Sequence, residues 1–135
     1  MSEKPTSTDV VRRMEKAMNG HDLDALTGCF TEDFRSVIPL HPGRSFTGRT
    51  HMRNNWAGLF AHVPDLTATV RQSVVDGEHV WSEWEIGGTT VDGERYLSRG
   101  VVIMRLRGEQ IAEVRFYLDN VDDPADPADA VSPTG

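Results

Sequence analysis

Apolar residues recur with helical spacing through the first part of the chain and with strand spacing through the rest. Val10, Val11, Met14, Ala17 and Met18 form one stripe behind a cap at Ser7 or Thr8, and Asn19-Gly20 ends the helix they predict. A short second helix is predicted over Asp22 to Phe30, with Leu23, Leu26 and Phe30 on one face. From Glu32 the pattern turns strand-like, setting Phe34, Ser36 and Ile38 opposite Arg35, Val37 and Pro39, before a Pro/Gly loop. A third helix is predicted from about Arg49 to His62, with Met52, Trp56, Leu59, Phe60 and Val63 inward and Pro64 as its stop. Four period-two segments follow: Leu66 to Val75, His79 to Gly87, Glu94 to Arg107 and Gln110 to Asp119. Asp76-Gly77, Asp92-Gly93 and Arg107-Gly108-Glu109 join them as antiparallel hairpins. Three helices followed by a curved antiparallel sheet is an α+β layout, with one sheet face on the helices and the other needing a cover. A second subunit is the simplest cover.

Composition narrows the partners. The 135 residues suit one domain, and 21 acids against 14 bases give a net charge of −7. Asp122, Asp123, Asp126 and Asp129 lie in a base-free tail, and removing those four charges from −7 leaves −3. No basic stripe exists for a phosphate backbone, so no nucleic-acid partner is expected. No apolar run approaches the roughly 20 residues that span a bilayer, so no membrane partner is expected either. The polar opening MSEKPTSTD predicts no signal peptide, and a cytoplasmic protein is expected. One cysteine, Cys29, excludes an internal disulfide and reads as a small buried hydrophobe. His21, His51, His62 and His79 lack metal-ligand spacing, and no metal or cofactor is predicted. The domain plan is a flexible arm over 1–7, one domain over 8–121 and a disordered acidic Pro/Asp-rich tail over 122–135.

The succession VVRRMEKAMNGHDLDALTGCFTEDF, FTGRTHMRNNWAGLFAHVPDL, VVDGEHVWSEWEIGGT and SRGVVIMRLRGEQIAEVRFYLD resembles SnoaL-like proteins. These belong to the superfamily of nuclear transport factor 2 and ketosteroid isomerase. The resemblance implies a cone-shaped α+β barrel, a pocket at its wide end and a homodimer on the outer sheet face. The catalytic residues of the better-known members do not carry over. Where ketosteroid isomerases place their Tyr and two Asp, this chain has Met14, Ile38 and Val102. Where limonene epoxide hydrolases place their Arg and two Asp, it has Trp84, Ile86 and Phe116, and Arg35 and Val37 replace their water-holding pair. The Asp that SnoaL-type cyclases use near the end of the last strand matches Asp119, with Phe116 as the other alignment.

The alignment turns Ser82, Trp84 and Ile86, then Ser98, Gly100, Val102 and Met104, then Val114, Phe116 and Leu118 inward. The substrate-binding set is accordingly Met14, Ile38, Trp56, Phe60, Trp84, Ser98, Val102 and Phe116. The same residues equally describe a packed core. Arg35, placed inward, would hold a ligand oxygen; otherwise it is a rim residue paired with Glu32 or Asp33. His41 is a candidate proton carrier or an exposed loop residue. Asp119 is a candidate acid or base, although its parity groups it with Arg99, Arg115 and Tyr117 on the outer face, where acids and bases face one another across strands. The resulting catalytic set is Arg35, His41 and Asp119. The function expected is a cofactor-independent cyclase, isomerase or hydrolase/hydratase acting on a hydrophobic, oxygenated cyclic small molecule such as a polyketide or terpenoid. The alternatives are a ligand-binding dimer without catalysis and an interaction module whose cavity is filled.

Overall fold

The computed structural model describes residues 7–122, so the predicted arm, apart from Ser7, and the tail beyond Asp122 lie outside it. Helix α1 (Ser7–Asn19) and the short α2 (Leu23–Gly28) precede β1 (Phe30–Val37). A 3-10 turn (Pro42–Arg44), β2 (Phe46–Thr47) and α3 (Arg49–His62) follow. The chain ends in β3 (Thr67–Asp76), β4 (His79–Thr89), β5 (Arg95–Arg107) and β6 (Gln110–Asn120).

The apolar stripe of α1 is buried as its spacing predicts: Val10, Val11, Met14, Ala17 and Met18 all lie in the core. The second helix is shorter than its pattern. Asp22 caps it, its side chain accepting from the Ala25 N–H, and the helix stops at Gly28, so Phe30 opens a strand instead of closing a helix. Two elements had no signal in the pattern, the two-residue β2 and the 3-10 turn before it.

The six strands form one curved, unclosed sheet in the order β2-β1-β6-β5-β4-β3. Every junction is antiparallel except β1 on β6, which is parallel. The helices cover one face, and Phe30, Phe34, Val80, Trp84, Met104, Ile111 and Val114 pack beneath them. Removing a side chain of that size from water stabilises by about 1.5–3 kcal/mol. At Gly100 the strands approach closely: φ is +153°, and an added Cβ would lie 2.0 Å from the Tyr117 carbonyl oxygen. Only glycine lets β5 coil against β6 there.

The free edge of the sheet is partly closed by α1. The Asn19 amide donates to the Ala68 carbonyl (2.9 Å) and accepts from its N–H (2.7 Å), while a Glu15 carboxylate oxygen accepts from the Val70 N–H (2.8 Å). Two helix side chains thus stand in for a seventh strand along the first half of β3.

Candidate functional site at the rim of the cone

The residues proposed to line a cavity divide by depth. Met14, Trp84 and Val102 are 1–2% exposed and belong to the packed core, with Phe60 and Ser98 nearly as deep. The Trp84 Nε1–H donates to Ser82 Oγ (2.9 Å), whose hydroxyl donates to the Val102 carbonyl (3.0 Å), so the polar atoms of this layer are satisfied internally. At those positions the structure has core where a cavity wall was expected. Ile38, Trp56 and Phe116 are half-buried instead. Trp56 and Phe116, with Tyr96 and Leu118, pack against the core without being sealed in it. Burial also pushes the Tyr96 hydroxyl above its ordinary pKa.

Arg35 is corrected. Phe34 and Ser36 are buried on either side of it, and Arg35 is exposed on the opposite face. It does not take the alternative pairing either: Glu32 meets Arg49 (3.6 Å) and Asp33 meets Arg107 (3.3 Å). Plain alternation explains it: Phe34 and Ser36 are buried, so Arg35 between them faces outward, beyond a register irregularity that spans Phe30 to Arg35.

The other two catalytic candidates come together. After β1 the chain folds back over the 3-10 turn: the His41 N–H donates to the Ile38 carbonyl, the Arg44 N–H to the His41 carbonyl, and the Ser45 hydroxyl accepts from the Ile38 N–H. This compact loop holds the His41 ring at the end of β6, where His41 Nε2 lies 3.1 Å from Asp119 Oδ2. The other Asp119 oxygen accepts from the Asn120 N–H (2.8 Å), and the Asp119 carbonyl accepts from the Ser98 hydroxyl (3.0 Å). The His41 hydrogen bond and then the Asn120 N–H hold the Asp119 carboxyl below its usual range, with the charge of Arg44 adding to them. An ionised carboxylate accepting from Nε2–H leaves Nδ1 as the basic nitrogen, the arrangement by which a carboxylate orients an imidazole for proton transfer. Nδ1 has no hydrogen-bond partner among the described residues.

Asp119 pairs in register with Arg99, so the dyad stands at the rim on the outer side of the sheet, and the His41 and Asp119 side chains are 36% and 52% exposed. Ile38, Phe116 and Leu118 are its sequence neighbours on the inner side. Sequence reasoning picked both partners but not their pairing, and it missed Arg44. Ser98 has a definite task too, since its hydroxyl fixes the backbone that carries Asp119.

Three helices on a curved, unclosed sheet place the chain in the ketosteroid isomerase-like class of α+β fold. Within it, this chain belongs to the SnoaL-like domain family, whose model matches residues 11–114. IdmH, a candidate polyketide cyclase from Streptomyces antibioticus, is similar in structure; its loop-truncated variant has 26% identity over 84% of this chain and 93% of its own, with a TM-score of 0.73. A SnoaL-like polyketide cyclase candidate from Jannaschia sp. CCS1 shares 22% identity over 88% and 91% of the two chains, with a TM-score of 0.72. A protein from Catenulispora acidiphila with this fold, solved in complex with trimethylamine, shares 23% over 83% and 87%, with a TM-score of 0.70. No curated protein matches this chain in sequence.

Proposed function

We propose that this protein binds an apolar, oxygenated cyclic metabolite, of polyketide or terpenoid type, at the open end of its cone. There the His41–Asp119 dyad moves a proton in a cofactor-independent cyclisation, isomerisation or hydration. The observation that carries this reading is the 3.1 Å contact between His41 Nε2 and Asp119 Oδ2 beside the half-buried apolar residues of the rim. The likeness to candidate polyketide cyclases supports the substrate class. His41 acts as the proton acceptor and Asp119 orients it, which is the division of labour expected when the carboxyl stays ionised.

A second copy of the chain on the outer sheet face completes the proposal. A competing reading, an interaction module with a filled interior, draws on the close packing of Met14, Trp84 and Val102.

The test is a thermal-shift screen with aromatic polyketides and terpenoid ketones, followed by product analysis for every compound that binds. Turnover should vanish to a similar extent in His41→Ala, Asp119→Asn and the double variant, because groups acting as a unit lose their effect together. Full turnover in His41→Ala would remove the dyad from the chemistry, and a screen in which nothing binds would favour the interaction module.

A further inference from the structure

Ser36 carries a hydroxyl that the fold does not use. The residue is 1% exposed, and its Oγ has no hydrogen-bond partner. Its register neighbours are Phe46 on β2 and Val114 on β6, neither of which offers a polar side chain. A hydroxyl buried without a partner is destabilising, and alanine would fit the same position without that penalty. Thr31, the other buried hydroxyl, lies at the opposite end of β1 beside Asp33, whose carboxyl it helps to hold below the ordinary range.

The position of Ser36 gives its hydroxyl a use. It faces the interior with Phe34 and Val114, two residues before Ile38, or roughly 6–7 Å further in along the strand. The other inward serines are committed, Ser82 to Trp84 and Val102, and Ser98 to the Asp119 carbonyl. No cation joins it, because Arg35 points to the other face. Trp56 and Tyr96 offer donors nearer the surface, half-buried with Phe116, so a ligand entering past Ile38 and Phe116 finds in Ser36 the deepest of these donors, with no positive charge beside it.

We propose that Ser36 is the polar anchor of the pocket, its Oγ–H donating to the oxygen of an uncharged cyclic ketone while the rest of the ligand lies against apolar wall. This deepens the pocket reading above and rests on it. An ionised acid is disfavoured at this depth, since a single neutral hydroxyl does not replace the water a carboxylate would lose. Reaching Ser36 requires the Ile38 and Phe116 side chains to swing aside, a rotamer change of the kind that exposed and half-buried side chains make readily.

The probes are 1-tetralone and tetralin, two bicyclic compounds that differ at one carbon by a carbonyl oxygen, titrated against the full chain by NMR. The parent protein should bind the ketone more tightly by roughly five- to tenfold, the size of one ordinary hydrogen bond. Ser36→Ala should erase that preference while raising the melting temperature, and Ser36→Cys, a slightly larger side chain with a weaker donor, should fall between. A preference that survives in Ser36→Ala overturns the anchor and leaves the pocket reading standing. Failure of both probes to bind the parent overturns the pocket reading and the anchor with it. A lower melting temperature in Ser36→Ala would show that the hydroxyl has a partner within the protein, and would overturn the premise.

Discussion

His41 and Asp119 are 78 residues apart in the chain and 3.1 Å apart in the fold, joined from Nε2 to Oδ2 across the rim of the cone. The contact exists because β1 lies parallel beside β6, so the loop leaving one strand arrives at the last residues of the other. Neither residue is deep. The pair is accordingly open to solvent at the rim, with side chains 36% and 52% exposed, and is not a buried charge within the core.

The first prediction concerns the titration of Asp119. Its carboxyl is held below the ordinary range chiefly by the hydrogen bond to His41. A depressed folded-state pKa contributes stability that is present above the unfolded-state pKa and is lost as pH falls through the folded one. The His41→Ala variant should move the Asp119 carboxyl back up toward its usual value, read by carbon NMR of the side chain. In Asp119→Asn, the stability gap to the parent should narrow as pH drops below about 4, the ordinary range of an aspartate. An Asp119 that titrates identically in parent and His41→Ala would mean that the contact is not formed in solution.

The edge of the sheet supplies the second. Asn19 satisfies both backbone groups of Ala68, a residue only 3% exposed, and among the described residues no strand pairs with β3 on that edge to replace it. The Asn19→Ala variant should lose about 1–3 kcal/mol in urea unfolding, the usual effect of leaving buried polar groups unpaired. Asn19→Asp keeps the acceptor but not the donor and should lose less. Unchanged unfolding in Asn19→Ala would show that water replaces the amide at no cost.

How far the sequence reveals this architecture depends on which contacts are local. The α1 stripe and the hairpins of β3 to β6 were legible because their periodicity and Asp-Gly turns act within a few residues. The end of α2 was not: Leu23, Leu26 and Phe30 keep helical spacing past the point where the helix stops, since Phe30 is claimed by a strand partner, Ile111, far along the chain. The facing of Arg35 failed for a different reason. The inward placement of Arg35 ran against the strand's own alternation, in which Phe34 and Ser36 are buried and Arg35 between them is exposed. Alternation within Phe34 to Ile38 alone had it right. His41 and Asp119 were identifiable one at a time from their chemistry, but their pairing depends on a parallel junction that leaves no mark on either segment.

Gly100 gives the third prediction. A methyl group there would meet the Tyr117 carbonyl oxygen at 2.0 Å, with the Tyr117 carbon and the Leu118 Cα under 3 Å away. All three are backbone atoms of the paired strand and cannot rotate aside. Gly100→Ala should therefore cost more than about 3 kcal/mol, through overpacking joined to an unfavourable φ. The neighbouring Val101→Ala, a conservative truncation on the outer face, should cost much less in the same measurement. Equal unfolding midpoints for the two variants would contradict the close approach of β5 and β6.

The last prediction is a homodimer through the outer sheet face, and the register shows why that face suits a partner. Read across the sheet, Val37, Arg115, Ile103, Trp81 and Val74 form one row, and Tyr117, Val101, Glu83 and Gln72 the next. Trp81 and Val74 are 47% and 65% exposed, and a shallow groove of about 180 Å³ runs between them and Val101. The flanking rows carry charge already paired within the chain: Arg99 lies 2.6 Å from Glu85 on one side, and Arg105 lies 3.4 Å from Glu113 on the other. Val37, Ile103, Trp81, Val74 and Val101 give these rows an apolar belt at their centre, with Arg115 bonded to Tyr117 and Glu83 to Gln72 within the chain, which matches the anatomy of a protein interface with an apolar centre and a polar border. Two-fold pairing would set belt on belt, the self-complementary contact a homodimer requires. Sedimentation at micromolar concentration should return the dimer mass for the parent. Ile103→Glu, which places a carboxylate in the middle of the belt, should return the monomer mass with the fold intact by circular dichroism. Trp81→Ala, nearer the edge of the belt, should weaken association by a smaller amount. A parent that sediments as a monomer, indistinguishable from Ile103→Glu, would leave the apolar belt without a second copy and exclude this interface.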